Sequence, residues 1–112
     1  MNKERISIDE FAKIEVKVGT ILSAERIPDT DKLLRLMVDF GEEAPRQIVS
    51  GIAAYVSSPE ELVGKQLTFV TNLEPRTIRG YESNGMLFAV GKDDTFAFLT
   101  PDRQIPPGTG AH

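Results

Sequence analysis

An alternation of apolar and polar residues runs through most of the chain and predicts β-strands. It is clearest over residues 34–40, where Leu34, Leu36, Val38 and Phe40 occupy every second position. The same two-residue period predicts six strands, over residues 14–22, 34–40, 46–52, 67–73, 86–90 and 96–100. We therefore expect a protein built mainly from β-structure.

The first predicted strand carries a glycine within its alternating pattern. We expect Val16 and Val18 to face the core, which would turn Lys17 outward. Gly19 interrupts the run, and a glycine inside a strand often marks a bulge or a bend. In the second strand, Arg35 is expected to point away from the core by the same alternation.

Two sequences typical of helix starts accompany the strands. Ser7 to Glu10 fits a capping box, in which the serine and the glutamate satisfy free N–H groups, and it predicts a helix over residues 8–13. Ser58 to Glu61 fits the same pattern, with proline at the first helical position, and it predicts a helix over residues 59–63. Prolines and a glycine should keep residues 101–112 extended.

The order of these elements predicts one domain with a known type of barrel. Turns at residues 28–32 and 41–45 should join the first three strands into a meander, and a short helix and further strands follow. This order is typical of an all-β, five-stranded Greek-key barrel of the OB type, here with short helices and a C-terminal strand extension. We expect residues 1–112 to form that single domain, with residues 1–6 and 101–112 as tails.

The stretch from Asn72 to Met86 is rich in groups that bind nucleic acid, and we expect it to be a long loop between two strands. Arg76 and Arg79 can bind phosphate bidentately or stack on a base. The Ser83 hydroxyl can bond phosphate or ribose, and Met86 can support a base face. Judged from the residues alone, such arginines are as often solubilising charges, and a methionine that opens a strand is more often core.

The net charge of −4 argues against a surface that attracts polyanions everywhere. One basic face remains compatible with it, because phosphate responds to charges within about a Debye length. The acids concentrate at Asp39, Glu42, Glu43, Glu60, Glu61, Asp93 and Asp94. The basic residues lie elsewhere, at Lys13, Lys17, Lys32, Arg35, Arg46, Lys65, Arg76 and Arg79.

Composition excludes several classes of protein and of site. The chain has no cysteine, which excludes disulfides, thiolate metal sites and cysteine nucleophiles. No apolar run approaches the roughly 18 residues that a membrane helix needs, and the N-terminus leads into no signal-peptide core. We expect a soluble, cytoplasmic protein without membrane association.

Signs of catalysis are few. The single histidine, His112, is the last residue, which leaves a serine–histidine triad without a member. Gly80 to Gly85 has glycines at a phosphate-loop spacing but lacks the lysine and hydroxyl that should follow. We predict no catalytic residue, no metal and no cofactor, although the sequence leaves a serine–lysine or paired-carboxylate site open.

Five blocks of the sequence, in this order, resemble the tRNA-binding domain family. They are FAKIEVKVG (residues 11–19), DKLL (31–34), RQIVSGI (46–52), PEELVGK (59–65) and NLEPRTIRGYESNGM (72–86). The family includes free dimeric tRNA-binding proteins and the C-terminal domain or β subunit of methionyl-tRNA synthetases. The resemblance implies an OB-fold that binds tRNA by shape and backbone, forms a homodimer and has a methionyl-tRNA synthetase as a possible partner.

The resemblance also implies a set of RNA-binding residues. Positions that match the family's motifs are Lys17, Asn72, Arg76, Arg79, Ser83 and Met86, with Lys32, Arg35 and Ser50 as weaker candidates. Two alternatives stay open. The first is that the chain is not a free tRNA-binding protein but the β subunit or C-terminal domain of a methionyl-tRNA synthetase, acting in aminoacylation. The second is that it is a peptide-binding module, because some relatives resemble export chaperones that bind extended peptides.

Overall fold

The computed structural model describes residues 2–112, so residue 1 of the predicted N-terminal tail lies outside the described residues. The helix and strands in this range are α1 (Ile8–Phe11), β1 (Val16–Arg26), β2 (Leu34–Asp39), β3 (Arg46–Ser50), β4 (Gln66–Val70), β5 (Arg76–Ile78), β6 (Tyr81–Ser83), β7 (Met86–Leu87), β8 (Ala89–Val90) and β9 (Ala97–Phe98). Single 3₁₀ turns occur at Ala53–Tyr55, Pro59–Leu62 and Asp93–Thr95.

Five of the strands form an antiparallel barrel sheet in the order β3-β2-β1-β4-β7. The first three strands form the predicted meander, and β4 returns beside β1, which is a Greek-key arrangement. The β3 edge is closed by residues just before β7: the Asn84 N–H donates to the Gln47 carbonyl at 2.8 Å. The predicted all-β, OB-type barrel is confirmed.

The barrel core is packed by apolar side chains from every part of the sheet. In β2, Leu34, Leu36 and Val38 are fully buried while Arg35 lies on the outer face, as the alternation predicted. Phe40 and Phe69 meet edge to face, with ring centroids 5.4 Å apart. No helix within residues 2–112 combines the length and apolar character needed to cross a membrane.

The facing of β1 is the reverse of the prediction. Lys17 is paired with the fully buried Phe69, and directly opposed residues on antiparallel strands point to the same side. Gly19 belongs to the same row, because a Cβ there would collide with Val38 and Phe40. Lys17 therefore lies in the core-facing row at one end of the barrel.

The residues predicted to face the core from β1 lie on its other side. Val16 lines an outer apolar groove with Phe11 and Phe88. Val18 is covered because the C-terminal segment runs alongside β1, where the Val18 N–H donates to the Thr109 carbonyl at 2.9 Å. Both faces of this strand are thus partly covered, which the alternation could not indicate.

Several element boundaries also differ from the prediction. The register shift in β1 falls between Ile21 and Ser23 and not at Gly19. The helix capped by the Ser7 hydroxyl ends at Phe11. The second helix is a 3₁₀ turn over 59–62 without a side-chain cap at its start, and the fifth and sixth strands are shorter than predicted.

Candidate nucleic-acid interface

The stretch from Asn72 to Met86 is a β-hairpin and not the long loop that was predicted. Strands β5 and β6 pair in register and are joined by Arg79 and Gly80, both with positive φ, 53° and 83°. Two positive φ values match the type I′ turn that suits the twist of a hairpin. Arg79 is exposed at the tip of this hairpin, in a conformation that arginine rarely adopts.

Ser83 fixes the hairpin to the barrel. It is only 4% exposed, and its hydroxyl accepts from the Val49 N–H at 2.9 Å and donates to the Gly85 carbonyl at 3.1 Å. A Cβ at Gly85 would lie 2.9 Å from Ile48 Cδ1, so the chain passes close to the core here. The hairpin is therefore held against β3 by its base.

Three of the predicted site residues line one small cleft beside β3. Arg76, Ser83 and Met86 share this cleft with Val49 and Ile78, and its volume is about 60 Å³. Met86 is 45% exposed, so part of this residue is open to the surface. The cleft thus brings a cation, a hydroxyl and an adaptable apolar side chain together.

Arg35 lies on the same side of the barrel as the hairpin. Arg35 of β2 lies opposite Val49 of β3 in the sheet. The Val49 N–H donates to the Ser83 hydroxyl, and Ser83 of β6 lies opposite Arg76 of β5 in the hairpin. The Arg35 Nε donates to Gln47 Oε1 at 2.7 Å, and its Nη1 forms an ion pair with Glu25. The arginines of β2 and of the hairpin therefore flank β3.

The remaining candidates are distributed around this region. Lys32 is exposed in the loop before β2, where its carbonyl accepts from the Ala53 N–H at 3.1 Å. Ser50 is half-buried and is paired with Leu34 at the end of β3. The structure places both near one end of the β2–β3 pair.

Asn72 joins the end of β4 to the beginning of β1. Its side-chain oxygen accepts from the Glu15 N–H at 2.8 Å, and its side-chain nitrogen donates to the Lys13 carbonyl at 2.6 Å. Both polar atoms of this side chain are therefore engaged within the protein. Asn72 sets the point from which the chain departs toward the hairpin.

Lys17 belongs to a polar network at the opposite end of the barrel from Ser50. Its Nζ lies 3.6 Å from Glu15 Oε1, and the same carboxylate accepts from the Thr71 hydroxyl at 2.6 Å. That hydroxyl, helped by the Lys17 charge, lowers the pKa of Glu15, while Arg46 lowers the pKa of Glu42. Bonding to Glu42 in turn raises the pKa of Arg46.

Arg76 and Arg79 differ from Lys17 and Arg35 in their charge environment. Within residues 2–112, neither hairpin arginine lies within 4.0 Å of a carboxylate, whereas Lys17 and Arg35 each form an ion pair. Lys32, exposed before β2, likewise has no carboxylate partner in the described part of the chain, so the uncompensated site cations are Lys32 and the two hairpin arginines. In the same range, no group of three His, Asp or Glu side chains is arranged to hold a metal ion.

One residue of this region was not predicted from the sequence. Gln47 lies between Arg35 and the hairpin, and its Nε2 donates to the Glu82 carbonyl at 2.8 Å. A polar residue beside an apolar run is indistinguishable from an ordinary outward-facing strand residue. The second partner of Gln47, the Glu82 carbonyl, is supplied by the hairpin, whose position the sequence did not indicate.

The chain is similar in sequence and fold to known proteins. Residues 16–110 match the model of a family described as a putative tRNA binding domain. The chain is 51% identical over 112 residues to a methionine–tRNA ligase of Methanocorpusculum labreanum, of which it spans only 16%. The chain thus covers a small part of the length of such relatives.

Two crystal structures show the same fold over nearly the whole chain. A MetRS-related protein from Pyrococcus horikoshii superposes with a TM-score of 0.89 at 41% identity, covering 98% of this chain and 100% of that one. The chaperone CsaA from Bacillus anthracis superposes with a TM-score of 0.85 at 26% identity, covering 97% and 100%.

Proposed function

The chain belongs to the putative tRNA-binding domain family, and from that premise we propose that it binds tRNA without catalysing a reaction. The observation that carries the proposal is the β5–β6 hairpin, which presents Arg76 and Arg79 without carboxylate partners within residues 2–112. Arginine suits this role because its planar group binds phosphate bidentately and stacks on unpaired bases.

The proposed contacts follow from exposure and bonding. Arg35, Arg76 and Arg79 would bind phosphates, and Met86 would support a base face, with Lys32, Ser50 and Lys17 as outlying contacts. Asn72 and Ser83 have their polar groups bonded within the protein, and we assign them to holding the hairpin. Such a surface reads backbone and shape, so it should discriminate little among tRNAs.

Removal of the two hairpin arginines tests the proposal. We expect Arg76→Ala with Arg79→Ala to abolish filter binding of bulk tRNA at low salt, because the variant lacks two cations that neutralise phosphates. The thermal midpoint should hardly change, since both side chains are exposed. Arg5→Ala with Arg103→Ala is the matched control, which removes the same charge from exposed positions elsewhere. Absence of binding by the unaltered protein would reject the proposal.

We further propose that the bound tRNA is presented to an aminoacyl-tRNA synthetase in the cytoplasm. The likeness to part of a methionine–tRNA ligase and to a MetRS-related protein supports this role. A free assistant and a β subunit or domain of methionyl-tRNA synthetase make different predictions. Stable co-purification with a synthetase supports the subunit, whereas an isolated protein that still stimulates aminoacylation supports the free assistant.

A homodimer is part of the same proposal. An outer groove of about 270 Å³ is lined by Phe11, Ile14, Val16, Phe88, Ala111 and His112. Phe11 is 53% exposed and Ile14 is 50% exposed, and with Phe88 they line one apolar groove, the kind of clustered surface that marks interaction sites. A second copy of the chain would bury these side chains and could place two tRNA surfaces on one particle.

Peptide binding is a second candidate function, favoured by the likeness to the chaperone CsaA. The same apolar groove offers a surface for an extended apolar peptide. Competition separates the two functions: an unfolded peptide that displaces tRNA would indicate a shared site. Peptide binding that leaves tRNA bound would place the peptide elsewhere, and no peptide binding would reject the candidate.

A further inference from the structure

Gln47 connects the two parts of the proposed tRNA surface. It lies on the outer side of β3, with Arg35 on one side and the hairpin on the other. Its Oε1 accepts from Arg35 Nε at 2.7 Å, and its Nε2 donates to the Glu82 carbonyl at 2.8 Å. Its backbone carbonyl also accepts from the Asn84 N–H at 2.8 Å.

We propose that Gln47 is a positioning residue for tRNA binding, which fixes the Arg35 guanidinium relative to the arginine hairpin. The inference rests on the proposed function and adds to it a residue that touches no tRNA. A free arginine side chain loses rotamer freedom when it binds, and a side chain already held in place loses less. Preorganisation by Gln47 would therefore strengthen phosphate binding without adding a contact.

The chemistry of a glutamine suits this position better than that of a glutamate. A carboxamide provides one acceptor for Arg35 and one donor for the Glu82 carbonyl, so both partners are satisfied at once. It is also neutral, so it orients Arg35 without cancelling its charge. A carboxylate would lack the donor and would repel phosphate.

The bonds to Arg35 leave part of its guanidinium available. Nε is bonded to Gln47 and Nη1 to Glu25, whereas Nη2 has no hydrogen-bond partner in the described part of the chain. The Nη2 donors are therefore the ones that remain for a phosphate oxygen. Without Gln47, the side chain would be tied to the exposed Glu25 alone.

A neutral substitution tests the proposal through the salt dependence of binding. Gln47→Met keeps the size of the side chain and removes both hydrogen bonds. We expect tRNA affinity to fall roughly three- to tenfold, the range for losing preorganisation of one or two side chains. The slope of log affinity against log salt should become shallower by about 0.7 to 0.9 for each phosphate that the protein no longer neutralises, although the charge of the protein is the same.

The matched control is Gln104→Met, which alters an exposed glutamine outside this surface and should change neither quantity. A double-mutant cycle adds a second readout. If Gln47 acts through Arg35, Gln47→Met should weaken binding less in the Arg35→Ala background than in the unaltered protein. Unchanged affinity and slope in Gln47→Met would overturn the inference, while tRNA binding by the unaltered protein would leave the proposed function standing.

A measurement on the unaltered protein covers the case in which Gln47→Met fails to fold. By nuclear magnetic resonance, the Arg35 Nε–H should exchange with solvent more slowly than the Nε–H of Arg79, because only the former is hydrogen-bonded within the described residues. Equal, fast exchange of the two groups would show that Gln47 does not hold Arg35, and the inference would be wrong.

Discussion

At the scale of single residues, Arg79 combines an unfavourable backbone conformation with a side chain suited to RNA. Its φ is 53°, in a turn where asparagine and glycine are preferred. We expect Arg79→Asn to raise the free energy of unfolding by about 0.5 to 1 kcal/mol, because asparagine tolerates this conformation better. The same change should weaken tRNA binding, since it removes a cation.

Urea unfolding and filter binding check this prediction together. The control is Thr77→Asn, an exposed position on the same hairpin. Lower stability in Arg79→Asn would show that arginine is not strained here. Full tRNA binding would remove Arg79 from the contact surface.

The polar end of the barrel should make stability depend on pH. The Thr71 hydroxyl, together with Lys17, lowers the pKa of Glu15 below its usual 4.5 in the folded protein. A group whose folded pKa is lowered stabilises the protein above its unfolded pKa, and this contribution disappears as the pH falls through the folded pKa. Glu15 therefore contributes fully above about pH 5 and loses its contribution in more acidic solution.

Thermal midpoints measured from about pH 7 to about pH 3 test this linkage. Glu15→Gln should melt lower than the unaltered protein at neutral pH but lose less of its midpoint on acidification. Glu43→Gln, an exposed neighbour at the same end of the barrel, is the control. Parallel pH profiles for Glu15→Gln and the unaltered protein would contradict the lowered pKa.

At the scale of elements, Ser83 decides whether the hairpin is held by the barrel. Its buried hydroxyl satisfies the Val49 N–H. Ser83→Ala would leave this buried donor without a partner, which costs about 1 to 3 kcal/mol. We expect lower stability, faster amide exchange at Val49 and weaker tRNA binding, because the hairpin arginines would lose their fixed position.

This outcome separates two roles for Ser83. If Ser83 instead contacted tRNA directly, the substitution would weaken binding while stability and amide exchange stayed unchanged. Thr77→Ala, which removes an exposed hydroxyl from the other face of the hairpin, is the control for the loss of a hydroxyl alone.

The sequence predicted the barrel elements well where one face of a strand is covered. In β2, burial alternates at every residue, as the pattern of Leu34, Leu36 and Val38 requires. In β1, the C-terminal segment also covers the outer side at Val18, so apolar residues occur on both faces and the inferred facing of Lys17 was wrong. The hairpin escaped prediction because its strands are three residues long, too short to show a period.

At the scale of the whole molecule, the two proposed interfaces use different parts of the chain. The arginines lie on β2 and on the hairpin held against β3, whereas the apolar groove is formed by α1, the beginning of β1, Phe88 and the C-terminal residues. No residue that lines the groove is one of the proposed tRNA contacts. A substitution in the groove can therefore disrupt a dimer without removing a proposed tRNA contact.

A negative charge placed in the apolar groove should prevent a dimer from forming there. Phe88 is 43% exposed in the isolated chain, so Phe88→Glu should leave the barrel folded, but it would bury a carboxylate in a dimer interface. We expect light scattering to show a dimer for the unaltered protein and a monomer for Phe88→Glu. tRNA affinity should also fall if one tRNA contacts both subunits, because binding to the second subunit is no longer intramolecular.

Leu22→Glu, at an exposed apolar residue outside the groove, should leave mass and affinity unchanged. A monomeric unaltered protein that still binds tRNA would reject the dimer and keep the arginine surface.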